Sequence, residues 1–192
     1  MPSDKTGWVL DRVLRRRAET TPDRPFLEVV GHRCETYRET FEAALKLAAR
    51  LEQLGVGKGD TVVIMAPNSF ESVHAWIAAN MLGAIDVTIN TAYRGQLLEH
   101  ALNMAQAQII LLDEEFLPVL QESEARLPHL ETAVHFRTFG NSYQAPPPQF
   151  GRVTLRPLWE EPERPLSNAI GQAEFKDVAS VIYTSGTTGR PK

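Results

Sequence analysis

The sequence closes on Thr184-Ser185-Gly186-Thr187-Thr188-Gly189-Arg190-Pro191-Lys192. Thr184, Ser185, Thr187 and Thr188 supply four hydroxyl groups, and Lys192 adds a mobile positive charge. Gly186 and Gly189 permit positive φ and let the backbone approach a ligand closely. Successive backbone N–H groups in such a turn can form an anion-binding nest. Hydroxyls, glycines and a lysine in this order suit a polyphosphate. The spacing is not that of the phosphate loop with four residues between its glycines and an immediate lysine and hydroxyl residue. Here two residues separate Gly186 from Gly189, and two more precede Lys192. Pro191 pushes Arg190 toward an extended conformation, so a flexible turn rather than a helix N-terminus is expected to grip the phosphates. A Ser/Thr/Gly-rich connector without chemistry has the same composition. What favours binding is the ordered string and its place, directly after the apolar run Val178 to Tyr183.

No other group of residues competes with this loop. His74, His100, His129 and His135 are each alone on their elements and are read as surface or satisfied histidines, with no spacing that resembles a zinc site. Glu114-Glu115 and Glu160-Glu161 are adjacent acids, and adjacent helical side chains diverge. Trp76 and Trp159 are read as core or surface-contact aromatics, and Cys34 as a packing residue. A single cysteine excludes an internal disulfide and an all-cysteine metal site. Asp86 interrupts an apolar strand and is expected at a sheet edge or paired with Arg94, without a function. The formal net charge is -4 and the one basic run, Arg15-Arg16-Arg17, reads as a solvated helix face, so nucleic acid is not an expected partner. Met1 to Trp8 has no apolar secretory core, and no stretch approaches the roughly 18 apolar residues that span a bilayer. A cytoplasmic protein is the expectation.

The elements that must carry the loop alternate. A helix is predicted from about Thr6 to Thr20, then a short hairpin of Phe26 to Val30 and Arg33 to Tyr37 around Gly31-His32. Thr36 and Glu39 form a capping-box pattern. They open a helix to about Leu54 with Phe41, Leu45, Ala48 and Leu51 inward and Arg50 toward water; Gly55 stands where a left-handed cap is wanted. Strands are predicted at Thr61 to Ala66, Ala84 to Ile89, Gln108 to Leu112 and Thr132 to Phe136. Between them come helices capped at Asn68 or Ser69, opening at Gly95 with Leu97, Leu98, Ala101 and Leu102 inward, and capped at Asp113, with Pro118 limiting the last. Residues 140–150 hold three consecutive prolines and read as a surface loop. Residues 151–176 read as irregular with a short helix near Leu155 to Glu161, before the buried strand run Val178 to Tyr183. Strands alternating with helices imply an α/β fold, a parallel-rich sheet flanked by helices. In such sheets ligands bind beyond the C-terminal ends of the strands, which is where the loop falls.

The string Tyr183 to Lys192, YTSGTTGRPK, resembles the phosphate-loop signature of the AMP-forming adenylating enzymes over all ten residues. That superfamily contains acyl-CoA synthetases, adenylation domains of peptide synthetases and beetle luciferases. Thr36-Tyr37-Arg38-Glu39-Thr40-Phe41, Gly55-Val56-Gly57-Lys58-Gly59-Asp60, Met65-Ala66-Pro67-Asn68-Ser69 and Gly83-Ala84-Ile85 followed by Asn90 are similar to its N-terminal subdomain. The likeness runs from about Thr21 to Lys192; Thr88 departs from the proline of many members. The resemblance implies that residues 1–192 are the N-terminal part of an AMP-binding domain, incomplete at its C-terminal end and inactive alone. It implies use of ATP and Mg²⁺ to turn a carboxylic acid into an acyl-adenylate, followed by transfer to CoA. By position, Thr184, Ser185, Gly186, Thr187, Thr188, Gly189 and Lys192 would hold the β- and γ-phosphates, and the catalytic residues would follow Lys192. Ile89-Asn90-Thr91-Ala92-Tyr93-Arg94-Gly95 with Leu97, Leu98 and His100 looks like acyl-CoA ligases of the fatty-acid and carnitine type. An adenylation domain that loads a carrier-protein thiol and a non-catalytic remnant that binds nucleotide or a partner are the alternatives. The acid and the oligomeric state stay open.

Overall fold

In the computed structural model, which describes residues 6–160, 171 and 173–183, the helix starts follow the local chemistry. Two units are distinguished, one made of residues 1–60, 69–85 and 161–179, the other of 61–68, 86–160 and 180–192.

The first unit is helical. A 3₁₀ turn at Thr6–Trp8 precedes α1 (Leu10–Thr20), so the expected single helix is broken at Val9. Strands β1 (Pro25–Glu28) and β2 (Cys34–Thr36) pair antiparallel as a separate two-stranded sheet. At α2 (Tyr37–Gln53) the capping box is complete: the Thr36 N–H donates to Glu39 Oε2 at 2.7 Å and the Glu39 N–H to Thr36 Oγ1 at 3.3 Å. Such a cap contributes about 1 kcal/mol. The inward stripe is Thr40, Ala44, Leu47, Ala48 and Leu51, whereas Phe41 and Leu45 are only half-buried. Arg50, expected toward water, is buried. Gly55 takes φ +91° just past the helix, as a left-handed cap requires. Helix α3 (Phe70–Met81) starts at Ser69, whose Oγ accepts from the Ser72 N–H while Ser72 Oγ accepts from the Ser69 N–H. Cys34 is exposed, which removes its packing role.

The second unit is built on a six-stranded sheet, whose strands are β3 (Thr61–Met65), β4 (Ile85–Thr88), β5 (Ile109–Asp113), β6 (Thr132–Phe136), β7 (Thr154–Pro157) and β8 (Ser180–Ile182). Their order is β7-β6-β5-β3-β4-β8, with parallel pairing. Helices α4 (Gln96–Ala105) and α5 (Leu117–Ser123) complete it, α5 being flanked by 3₁₀ turns at Glu114–Phe116 and Glu124–Arg126. The single helix expected from Asp113 to Arg126 is thus broken, with Pro118 in the first turn of α5. Alternation along the strands puts Val63, Met65, Val87, Ile110, Leu112 and Ala133 on one face, packed with Leu98, Ala101 and Leu102 of α4 and Leu117 and Leu120 of α5. Each such leucine contributes about 1.5–3 kcal/mol on burial. Leu97, expected inward, is exposed.

Two expectations about strands fail. Where a short helix is expected near Leu155 to Glu161, residues 154–157 form β7: they add in parallel to β6, with Thr132 opposite Thr154 and His135 opposite Pro157. Pro157 can end a strand at a sheet edge, where its missing N–H is not needed. The run Val178 to Tyr183, read as a buried strand, supplies β8, whose Ser180, Val181 and Ile182 are all exposed because β4 is its single neighbour among the described residues.

Candidate functional site

Every residue assigned to the phosphate loop from sequence, Thr184, Ser185, Gly186, Thr187, Thr188, Gly189 and Lys192, lies outside the described residues. What the structure gives is the root from which the loop departs. Strand β8 pairs with β4 with Asp86 opposite Ser180, Val87 opposite Val181 and Thr88 opposite Ile182. Because the pairing is parallel, both strands leave the sheet at the same end. The connection after β4 and the segment beginning at Tyr183 therefore start side by side. This is the end at which α/β sheets bind ligands.

Tyr183 is anchored there. Its phenol donates to the main-chain carbonyl of Ala101 in α4 at 3.0 Å, and its ring packs on the core under α4 together with Tyr93. Burial raises the Tyr183 phenol above its ordinary value of 10.0, with Tyr93 adding to the shift, so this group is a neutral donor at physiological pH. The segment after β4 is a tight turn. Asn90 Oδ1 accepts from the Ala92 N–H at 2.8 Å, and the Tyr93 N–H donates to the Asn90 carbonyl. Arg94 donates to the carbonyls of Thr91 and Tyr93 and lies 5.6 Å from the Phe116 ring centre. Asp86 is thus not the partner of Arg94. It is buried and accepts from Ser180 Oγ at 2.8 Å, across the β4–β8 pair.

At the same end of β5 stands a second polar group, in which Asp113, expected as a helix cap, caps the 3₁₀ turn at Glu114–Phe116. Asp113 is fully buried; its Oδ2 accepts from the Thr138 N–H at 2.9 Å and from Thr138 Oγ1 at 2.5 Å. Its Oδ1 accepts from the Glu115 N–H at 3.0 Å and from Asn141 Nδ2. The carboxylate ties the turn after β5 to the loop after β6. Next to it, Glu114 Oε1 meets His135 Nδ1 at 3.1 Å, and its Oε2 accepts two bonds from Arg137 at 3.0 and 2.7 Å. Burial opposes the Glu114 charge, but the hydrogen bonds from Arg137 and His135 outweigh it and hold the carboxyl below its ordinary value. His135 is thus a satisfied histidine, one of the two readings its sequence position left. The sequence signal was the pattern of alternating types in His135-Phe136-Arg137, but its partner is 21 residues away.

In the first unit His74 is a satisfied core histidine, as expected. Its Nε2 meets Glu35 Oε2 at 2.8 Å, while Glu35 also accepts from Arg33 at 2.5 Å and from Thr40 Oγ1 at 3.3 Å. Arg33 in turn lies 4.5 Å from the Phe70 ring centre. Among the described residues no three His, Cys, Asp or Glu side chains group as metal ligands. Trp76 and Trp159 are both partly exposed.

A sequence profile described as "AMP-binding enzyme" matches residues 14–192. The medium/long-chain-fatty-acid–CoA ligase FadD6 of Mycobacterium tuberculosis is 32% identical over 199 residues, covering 100% of this chain and 29% of that protein. The 2-succinylbenzoate–CoA ligase of Bacillus licheniformis is 31% identical over 196 residues, covering 100% of this chain and 34% of that protein. Among solved structures, the anthranilate CoA ligase AuaEII in complex with anthranoyl-AMP superposes with a TM-score of 0.78 at 27% identity, over 95% of this chain and 33% of that one. The inhibitor-bound N-terminal domain of FACL13 from Mycobacterium tuberculosis superposes with a TM-score of 0.70 at 28% identity, over 95% of this chain and 42% of that one. The chain spans 29% and 34% of the length of these two curated relatives.

Proposed function

This chain belongs to the AMP-binding enzyme family, and on that premise we propose that it is the phosphate-gripping part of an ATP-dependent acid–CoA ligase. The observation that carries this reading is the string Tyr183 to Lys192, which follows β8 of a parallel sheet directly in sequence and lies inside the matched range. The hydroxyls of Thr184, Ser185, Thr187 and Thr188, the backbone at Gly186 and Gly189, and Lys192 would hold the β- and γ-phosphates of ATP. Neutralising and aligning these groups leaves the α-phosphorus open to attack by the carboxylate oxygen of the acid. The bond from the α-phosphorus to the bridging oxygen breaks, pyrophosphate leaves, and an acyl-adenylate remains. The CoA thiolate then attacks the acyl carbon and AMP departs. Mg²⁺ belongs to the proposal as the ion that accompanies ATP; the described residues offer no metal-ligand cluster, and no step is routed through it. Two relatives that cover the whole chain are named as ligases of an acid and CoA, which supports CoA over a carrier protein as acceptor. Fatty acids are placed first among the acids because FadD6 is the more similar of those two. The proposed compartment is the cytoplasm, where ATP and CoA are both supplied.

The test is acid-dependent exchange of pyrophosphate into ATP by the complete protein that carries this chain, over a panel of carboxylic acids. Thr187→Ala with Thr188→Ala should slow adenylate formation by roughly 10- to 150-fold, the equivalent of one hydrogen bond to a charged group made mainly in the transition state. Thioester formation from pre-formed acyl-adenylate should stay unchanged, because pyrophosphate has already left. Equal slowing of both half-reactions would remove the phosphate-gripping assignment.

A further inference from the structure

The geometry points to Asp86, Ser180 and Tyr183 as positioning residues that lock the register of β8 on β4 and thereby set where the phosphate loop begins. The inference rests on the ligase reading above for its consequence, and on the strand geometry for its mechanism.

Among the described residues, β8 has three residues and pairs with β4. A parallel ladder offers the same evenly spaced backbone bonds in every register, so backbone pairing alone does not fix where β8 sits on β4. Two side-chain bonds bracket it. At its first residue Ser180 Oγ donates to the buried carboxylate of Asp86 at 2.8 Å. Directly after its last residue the Tyr183 phenol donates to the Ala101 carbonyl at 3.0 Å. Ser180 and Tyr183 are three positions apart, so by strand alternation they point to opposite faces of the sheet.

The sequence around the pair excludes the alternatives. A slip of one residue moves the strand by about 3.3 Å and turns every side chain to the other face. It would bring Ala179 or Val181 opposite Asp86. A slip of two residues restores the faces but brings Val178 or Ile182 opposite Asp86. Among residues 178–182 only Ser180 carries a hydroxyl, so only the observed register gives the buried carboxylate this partner. Either slip also carries the phenol away from Ala101. Thr184 follows Tyr183 directly, and a displacement of even about 1 Å at a reacting centre can cost on the order of 100-fold in rate. This gives Asp86, an acid in an otherwise apolar strand, a role.

The experiment compares Ser180→Ala, Tyr183→Phe and Ser180→Thr by amide hydrogen exchange over residues 178–183 and by the two half-reactions of the complete protein. Ser180→Ala should speed exchange of the β8 amides that donate to β4 by roughly 10- to 150-fold, as for loss of a bond to a charged group. Tyr183→Phe should speed it by roughly 2- to 13-fold, as for a neutral bond. Ser180→Thr keeps the hydroxyl and should exchange as the wild type does. Adenylate formation should fall by the same order in the first two variants with KM for the acid unchanged, recover in Ser180→Thr, and leave thioester formation from pre-formed adenylate untouched. Unchanged exchange in Ser180→Ala and Tyr183→Phe would overturn the register lock. Faster exchange with unchanged adenylation would overturn its positioning role, as would equal slowing of both half-reactions. A wild-type protein without acid-dependent pyrophosphate exchange would instead overturn the ligase reading, while the exchange data would still decide the lock.

Discussion

Replacing Asp113 with alanine should destabilise the sheet unit by about 2–6 kcal/mol, the cost of leaving two buried donors without an acceptor. The structure sets that figure. Asp113 is fully buried and accepts from four donors: the Thr138 N–H, Thr138 Oγ1, the Glu115 N–H and Asn141 Nδ2. Four bonds at about 1.5–3 kcal/mol each to a charged acceptor would overcount, because donors that reach water lose little. Asn141 is partly exposed and finds water after the substitution; Thr138 is buried and its two donors do not. Two orphaned buried donors at roughly 1–3 kcal/mol each give about 2–6 kcal/mol. Asp113→Asn should cost less, about half, since one amide oxygen still accepts while the NH₂ faces another donor. Urea unfolding followed by fluorescence of Trp159, with Trp8 and Trp76 replaced by phenylalanine, reads the unit that contains Asp113. In a Thr138→Val background the cost of Asp113→Ala should shrink by at least about 1 kcal/mol, the double-mutant signature of a shared network. A cost below about 1 kcal/mol for Asp113→Ala, or equal costs in both backgrounds, would refute the account of Asp113 as the tie between the turns after β5 and β6.

Two pH dependences follow from the shifted carboxyls. Glu114 is held below its ordinary value of 4.5, burial being outweighed by Arg137 and His135. Its contribution to stability is present above pH 4.5 and lost as pH falls through the lowered folded value. Glu114→Gln should lower the melting temperature at pH 7 and flatten the acid flank, and an acid flank identical to that of the wild type would count against the ion pair. Asp11 behaves in the opposite sense: burial raises it above 3.8 against the pull of Arg12 and Arg15, and its Oδ1 has no hydrogen bond. The folded state then holds the proton more tightly, so its contribution is present below pH 3.8 and lost as pH rises through the raised folded value. Asp11→Asn, which keeps the shape, should therefore melt higher than the wild type at pH 7 and lose that advantage in acid; a gain of equal size at both ends would contradict the burial argument.

Helix entry was legible from residues alone. Thr36 with Glu39, Ser69 and Gly55 act on groups within one turn of themselves, so the local string holds all the information. The parallel sheet was legible at one remove, from strands alternating with helices. Burial was less so. On α2 the stripe turns far enough to bury Arg50 and half-expose Leu45, because the facing elements choose which side is inward. Residues 154–157 carry no strand pattern of their own and are a strand because the edge of β6 was open to them.

The candidate site divides in the same way. Its residue types and order, Thr184 to Lys192, are read from sequence and from nothing else, since they lie outside the described residues. Tertiary structure alone decided what flanks them. Asp86 meets Ser180 across 94 positions, Tyr183 meets Ala101 across 82, and Glu35 meets His74 across 39. Tertiary structure also decided that, among the described residues, β8 pairs with β4 alone and is exposed. Caps, turns and glycine conformations depend on groups a few bonds apart, which the chain brings together whatever its fold. A hydrogen bond between distant side chains exists only once packing has set the distance between their strands and helices, and no short string of residues carries that distance.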